Sequence, residues 1–236
     1  MALPILDTPK YELIVPSSNK KVTYRPFLVK EEKILLIAQE TNDPKQMMSA
    51  MKDIVSSCTF DKIKIDDITS FDLEYIFLKL RTKSVGENAS VGIACSKCEA
   101  LNQIDINLDS ISVNMPTEKN DVIMLTDSIG VKMKWLTAEK MENISAISDK
   151  DQGLILNELV ISSFESIFDA ENVYLASESS KEELTQFINS LNRQQMEKIE
   201  KFIANVPKLE HSCEFTCISC KHDNTITLQG IQSFFE

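Results

Sequence analysis

Glycine is scarce: five residues in 236, isolated at positions 86, 92, 130, 153 and 230, which is near 2% against roughly 7% in average usage. No glycine-rich phosphate loop can be assembled from them. The dinucleotide fingerprint and the P-loop both need clustered glycines to bring backbone N–H groups against phosphate, so the shortage argues against nucleotide-dependent catalysis. Histidine is scarcer still, with His211 and His222 alone, so a Ser-His-Asp or Cys-His arrangement has little to draw on. Lys and Arg number 25 against 36 Asp and Glu, giving a formal charge of −11. That balance argues against a general nucleic-acid binder, whose affinity comes largely from neutralising phosphates, and leaves room only for a small local basic patch. Long apolar runs are missing as well. Every apolar stretch is broken by charge, and the segment from Met1 to Lys10 has no positive region leading into an apolar run, so neither a spanning helix nor a signal peptide is expected.

What is present is ordinary globular material. At 43% hydrophobic and 26% charged, the chain is too apolar for disorder and long enough for one large domain or two small ones. A cytoplasmic setting follows as an expectation, and in a reducing compartment six cysteines read as thiols or metal ligands before disulfides.

Periodicity sketches the elements. Residues 11–27 alternate around Pro16-Ser17-Ser18-Asn19, which predicts a hairpin. Helices are expected from Lys30 to about Gln39, with Leu35, Leu36 and Ile37 as its apolar run, and from Pro44, capped by Asp43, with Met47, Met51, Ile54, Val55 and Cys58 as one stripe. Another should run from about Phe71 to Lys83, capped by Thr69 or Ser70, and stop near Gly86. Short alternating segments follow at 91–113, and a hairpin is expected at 122–136. Leu154, Ile155, Leu159, Phe164 and Ile167 predict one further helix. Ser180 with Glu183, and Asn192 with Gln195, form two capping boxes ahead of apolar stripes, and Pro207 closes the second helix. Glu31, Glu32, Glu182 and Glu183 read as solvated helix faces and first-turn dipole partners. The last 26 residues are short and β-like again. No linker rich in Pro, Gly or Ser divides the chain.

Two segments repeat. Cys95-Ser-Lys-Cys98 and Cys217-Ile-Ser-Cys220 are both C-x-x-C pairs, preceded by Ile93 and Phe215 and followed by Asn102, Ile104, Ile106 and by Asn224, Ile226, Leu228. All these positions are related by one offset of 122 residues. A C-x-x-C turn aims two sulfurs at one point, and two such knuckles complete a tetrahedron of the kind that holds structural zinc with no open position for catalytic water. Cys95, Cys98, Cys217 and Cys220 are therefore the candidate ligands of one structural Zn²⁺. Such a site would staple 91–108 to 213–230, with binding free energy of order 10 kcal/mol on the scale of zinc-finger peptides. Buried thiols or a redox dithiol are the alternatives, although neither pair precedes a convincing helix as a thioredoxin-like site requires. Only Cys217 and Cys220 match the first pair in register. Cys213, His211 and His222 nonetheless lie close enough that substitution of one ligand stays open, while Cys58 ends an apolar stripe and reads as a core thiol. The expected fold class is α+β: a mainly helical domain with short β-hairpins and a split zinc-ribbon-like module formed by the two knuckles. Its parts are 1–90 (hairpin plus helices), 91–113 with 208–236 (the split module) and 114–207 (hairpin plus helical insertion).

A pattern spread over nearly the whole chain resembles the baseplate hub and hub-assembly proteins of T-even-type contractile phage tails. It comprises the opening hairpin leading into Tyr24-Arg-Pro-Phe27, then Lys30-Glu-Glu-Lys-Ile-Leu-Leu36, and Leu80-Arg81 with Ser84-Val-Gly-Glu87. It continues through the first C-x-x-C and its Ile-Asp-Ile, Pro207-Lys-Leu-Glu-His211, the second C-x-x-C, and Gly230-Ile-Gln-Ser-Phe-Phe235. The resemblance implies a late phage protein, made in the host cytoplasm, that helps assemble the central hub and binds other hub or tail proteins. It supplies no catalytic residues, so a non-enzymatic role is expected. Related members include a hub component and an assembly helper, and the residues are compatible with either. A zinc-ribbon nucleic-acid-binding regulator is the competing class, but Lys97 and Lys221 inside the knuckles face Glu99, Asp105, Glu214 and Asp223 nearby in sequence, with no basic patch evident. No membrane partner is expected.

Overall fold

Pro16, Ser17 and Ser18 turn the chain between β1 (Tyr11–Ile14) and β2 (Lys21–Tyr24), an antiparallel pair with Leu13 opposite Val22. Asn19 takes the left-handed conformation that its short amide side chain tolerates (φ 53°). The computed structural model describes residues 6–41, 43–116, 120–147 and 152–234. They fall into two compact units, Met1–Met115 with Lys208–Glu236, and Pro116–Pro207.

Helix α1 (Val29–Glu40) buries Glu31 and Ala38 and leaves Leu36 and Ile37 exposed. Three consecutive apolar residues cannot share one face of a helix, so the apolar run Leu35-Leu36-Ile37 is split around it. Helix α2 (Pro44–Cys58) starts where the Asp43 carboxylate accepts the Lys45 N–H at 3.0 Å, and its Met51, Ile54, Val55 and Cys58 are buried as one stripe. In α3 (Ser70–Ser84), capped by Thr69, the buried face includes Phe71, Leu73, Ile76, Phe77 and Leu80. Gly86 follows at φ 139°, its carbonyl accepting from Arg81 at 3.0 Å. Then come β3 (Asn88–Ala94), β4 (Leu101–Asn107) and β5 (Ser112–Asn114).

The second unit contains β6 (Val122–Met124), β7 (Gly130–Met133), α4 (Ala138–Ser145), α5 (Gln152–Ser163), β8 (Phe164–Phe168), β9 (Val173–Leu175), α6 (Lys181–Asn189) and α7 (Arg193–Ala204). The single helix expected through Ile167 is wrong. It stops at Ser163, whose hydroxyl turns back to the Leu159 carbonyl (2.7 Å), and Phe164-Glu-Ser-Ile-Phe168 continues as a strand paired with β7. Phe164 and Ser166 are buried and Glu165 between them is exposed, as the two faces of a strand require. The sheet runs β6-β7-β8-β9, antiparallel throughout. Val131, Met133, Val160, Phe164, Leu184 and Ile199 form its core with the helices. Both capping boxes form, Ser180 with Glu183 on α6 and Asn192 with Gln195 on α7. Helix α4 and strand β9 carry no expectation from the sequence.

Strands β10 (Lys208–Thr216) and β11 (Asp223–Gln229) return to the first unit, where the order is β11-β10-β5. A short 3₁₀ turn, Ile231–Phe234, then buries Phe234. The class is α+β, but "mainly helical" overstates it: helix takes 42% and strand 26% of the described residues. Strand β8, expected as helix, and strand β9, carrying no expectation, add to the β share. No helix among the described residues is long and apolar enough to cross a membrane.

Candidate metal centre

The two knuckles are the turns of two hairpins built alike. In β3–β4, Ala94 faces Leu101 and Ile93 faces Asn102; in β10–β11, Thr216 faces Asp223 and Phe215 faces Asn224. Each turn is closed by the same two bonds. Cys95 N–H reaches the Ala100 carbonyl (3.0 Å) and Cys217 N–H the His222 carbonyl (2.8 Å), while Glu99 and Lys221 donate to the carbonyls of Cys95 and Cys217 at 2.9 and 3.0 Å. Glu99 and Lys221 also share a left-handed backbone, φ 58° and 59°. The offset of 122 seen in the sequence is thus an offset of backbone conformation, register and hydrogen bonding.

The knuckles bring the sulfurs of Cys95, Cys98, Cys217 and Cys220 within 4.8 Å of one another. Cys95 to Cys220 and Cys98 to Cys217 are each 3.7 Å. A disulfide needs about 2.05 Å, so these are thiols. Four sulfurs at about 2.3 Å from one ion would stand about 3.8 Å apart in a regular tetrahedron. The donor set fits a tetrahedral thiolate-bound ion of the zinc type. Cys95 and Cys217 are buried, Cys220 half-buried and Cys98 exposed.

The electrostatics are those of a site that attracts a cation. The Lys97 N–H, 3.4 Å from Cys95 Sγ, leads the interactions that pull this thiol down to about 6 against its burial; the Cys98 N–H and the Asn224 amide assist. The Cys220 and Ser219 N–H groups lower Cys217 in the same way. Cys98 goes the other way. Ala100 N–H favours its thiolate, but hydrogen bonds with Cys220, burial, and bonds with Cys217 and Cys95 outweigh that and push it up to about 12. Sulfurs this close resist full ionisation together unless a positive ion compensates them.

Two asparagines cross-brace the knuckles. Asn102 lies in the first hairpin but its Oδ1 accepts the N–H of Ile218 in the second knuckle (2.9 Å), and its Nδ2 lies 3.8 Å from Cys217 Sγ. Asn224 reciprocates: Oδ1 accepts from the Ser96 N–H (2.9 Å) and hydroxyl (2.8 Å), and Nδ2 lies 3.5 Å from Cys95 Sγ. Each Nδ2 also holds its own turn, through the carbonyl of Ala100 or His222. Both side chains are almost fully buried. The repeat marks both positions, yet sequence reasoning assigns them no task.

The remaining thiols and both histidines stand outside this cluster. Cys213 is buried on β10 opposite Ile226, and burial raises its pKa. His211 sits opposite Leu228 on the same strand, and His222 takes part through its backbone carbonyl. Cys58 is fully buried, 3.5 Å from Arg25 Nη1, and burial pushes its thiol up to about 11. That arginine overturns one expectation. Glu31 is no solvated acid: it is 3% exposed, pairs with Arg25 at 2.8 Å and accepts from Ser57 and the Leu28 N–H.

A closed, two-knuckle, four-thiol α+β protein is the class that these features define. The chain belongs to the family described as T4 bacteriophage base plate protein, whose model matches residues 8–236. It is accordingly a phage baseplate-associated protein. No curated protein and no solved structure matches it.

Proposed function

We propose that the chain is a non-enzymatic assembly factor for the central hub of the phage baseplate, acting as a chaperone for hub or tail proteins, with one Zn²⁺ held by Cys95, Cys98, Cys217 and Cys220. The observation that carries the reading is the family match over 8–236. The four-sulfur geometry supports the metal. An ion with four thiolates has no position left for water or substrate, so what zinc supplies here is a cross-link. The protein's own groups do the rest: turn N–H groups favour thiolates, and Asn102 and Asn224 hold the knuckles face to face.

Acidity fits the same reading. A net charge of −11 suits a chain that shields basic or apolar surfaces on a partner until they are buried in the hub. Co-purification from infected cells followed by mass spectrometry of finished virions tests the role. An assembly factor is recovered with hub or tail proteins and is missing from virions; recovery at a fixed stoichiometry in virions would make it a permanent hub subunit instead.

A further inference from the structure

Strand β9 is an open edge of the second unit's sheet, and a groove runs beside it. The bonds from Ala176 N–H to the Glu165 carbonyl (3.1 Å) and from Asp169 N–H to the Asn172 carbonyl (3.0 Å) set the alternation of the β8–β9 ladder. Tyr174 therefore turns its backbone to β8, while Val173 and Leu175 turn theirs outward. The Leu175 carbonyl is taken by Glu178 N–H (3.1 Å) and the Ser179 hydroxyl (3.0 Å). The Val173 N–H and carbonyl and the Leu175 N–H have no partner across that edge among the described residues. The opposite edge is partly covered, by Lys198 and Gln195 on the carbonyls of Met124 (2.8 Å) and Leu125 (3.2 Å).

Exposed apolar side chains accompany the open edge, with Val173 66%, Tyr174 49% and Leu175 42% accessible. Between them and α6 lies a groove of about 520 Å³ whose apolar lining includes Phe168 and Phe187 and whose acids are Asp169, Glu178 and Glu183. None of these acids forms an ion pair among the described residues; Lys181 is engaged by Glu158 and Lys132 by Glu165. Residues 116–207 carry sixteen acids and nine bases, so seven of the chain's eleven net negative charges belong to this unit.

We propose that the β9–α6 groove docks an extended segment of a partner protein that carries aliphatic or aromatic side chains flanked by Lys or Arg, adding as a strand to β9. The charge selects this occupant over a second copy of the chain, because both units are net acidic and self-docking would bring like charges together. The inference rests on the reading of the chain as a protein that binds other tail proteins, and it says where and what kind of segment.

The test uses the full-length chain and two short synthetic peptides with the same alternating Val and Trp core, one flanked by Lys and one by Glu. Titration calorimetry should show the Lys-flanked peptide binding at least roughly tenfold more tightly, with affinity falling as salt rises. Amide shifts should map to Val173 and Leu175. Glu178→Lys, a change at an exposed position that should leave the circular dichroism spectrum unaltered, should remove the preference. Failure of both peptides to bind, equal binding of the two, shifts away from β9 and α6, or a self-association that Glu178→Lys disrupts would overturn the proposal. A negative result here leaves the assembly reading intact, because that reading stands or falls on virion content.

Discussion

Asn102 and Asn224 each satisfy a backbone donor in the opposite knuckle while holding their own turn closed. Asn224→Ala would take the part-buried Ser96 N–H away from its protein acceptor, at a cost of about 0.5–1.5 kcal/mol. It should also weaken zinc by about 10–100-fold, as loss of an outer-shell partner does. Competition against a chromophoric chelator, with thermal denaturation alongside, reads both; an unchanged variant would remove the brace from the account. Glu31 supports a second prediction. Burial would raise its carboxyl, but the Arg25 hydrogen bond, the Leu28 N–H and the Arg25 charge more than offset that and hold it at about 2. Because the folded value lies below the unfolded one, its contribution is complete above about pH 4.3 and disappears as pH falls towards 2, amounting to about 3 kcal/mol. Glu31→Gln should flatten that part of the stability–pH curve, and a curve of unchanged shape would contradict the pair's role. The cysteines were legible because C-x-x-C is local and chemically distinctive. The Arg25–Glu31 pair was not, since a glutamate in a first helical turn looks the same whether a distant side chain covers it or water does.

At the scale of elements, what was readable was what is written locally. Asp43-Pro44, Thr69, Ser180 with Glu183 and Asn192 with Gln195 all start helices where their side chains can reach orphan N–H groups. Strand β8 escaped because the spacing of Leu154, Ile155, Leu159, Phe164 and Ile167 is helical and a short apolar run does not distinguish strand from helix. Even within Phe164–Phe168 the apolar residues 164, 167 and 168 keep the i, i+3, i+4 spacing of a helix, so the one local sign of a strand end is the turn after it, in which Asp169 Oδ1 accepts from the Glu171 and Asn172 N–H groups at 2.8 Å. The β7–β8 pairing makes a direct prediction. Gly130 faces Phe168, and a Cβ there would stand 2.3 Å from the ring's Cζ. Gly130→Ala should therefore destabilise the second unit by about 1–3 kcal/mol, the usual cost of overpacking. Hydrogen exchange would locate the loss in β6–β9; a stability equal to the parent would mean that this pairing is wrong.

For the whole molecule, the first and last parts of the chain form one unit, with residues 116–207 forming another between them. The offset of 122 announced that two distant segments were alike, and the reciprocal asparagine contacts show how that likeness is used: each hairpin completes the other. The pairing of edge, groove and acidity in the second unit was invisible beforehand, because it needed β9, which no periodicity marked. The proposed role of the four cysteines is to hold one zinc ion that joins the knuckles. X-ray absorption at the zinc edge, on protein purified without chelator and assayed for metal, tests it most directly. About one zinc per chain with four sulfurs at about 2.3 Å is the predicted result, and chelation should lower the melting temperature. Well-folded protein without metal, a first shell containing nitrogen or oxygen, or disulfides among Cys95, Cys98, Cys217 and Cys220 would contradict it.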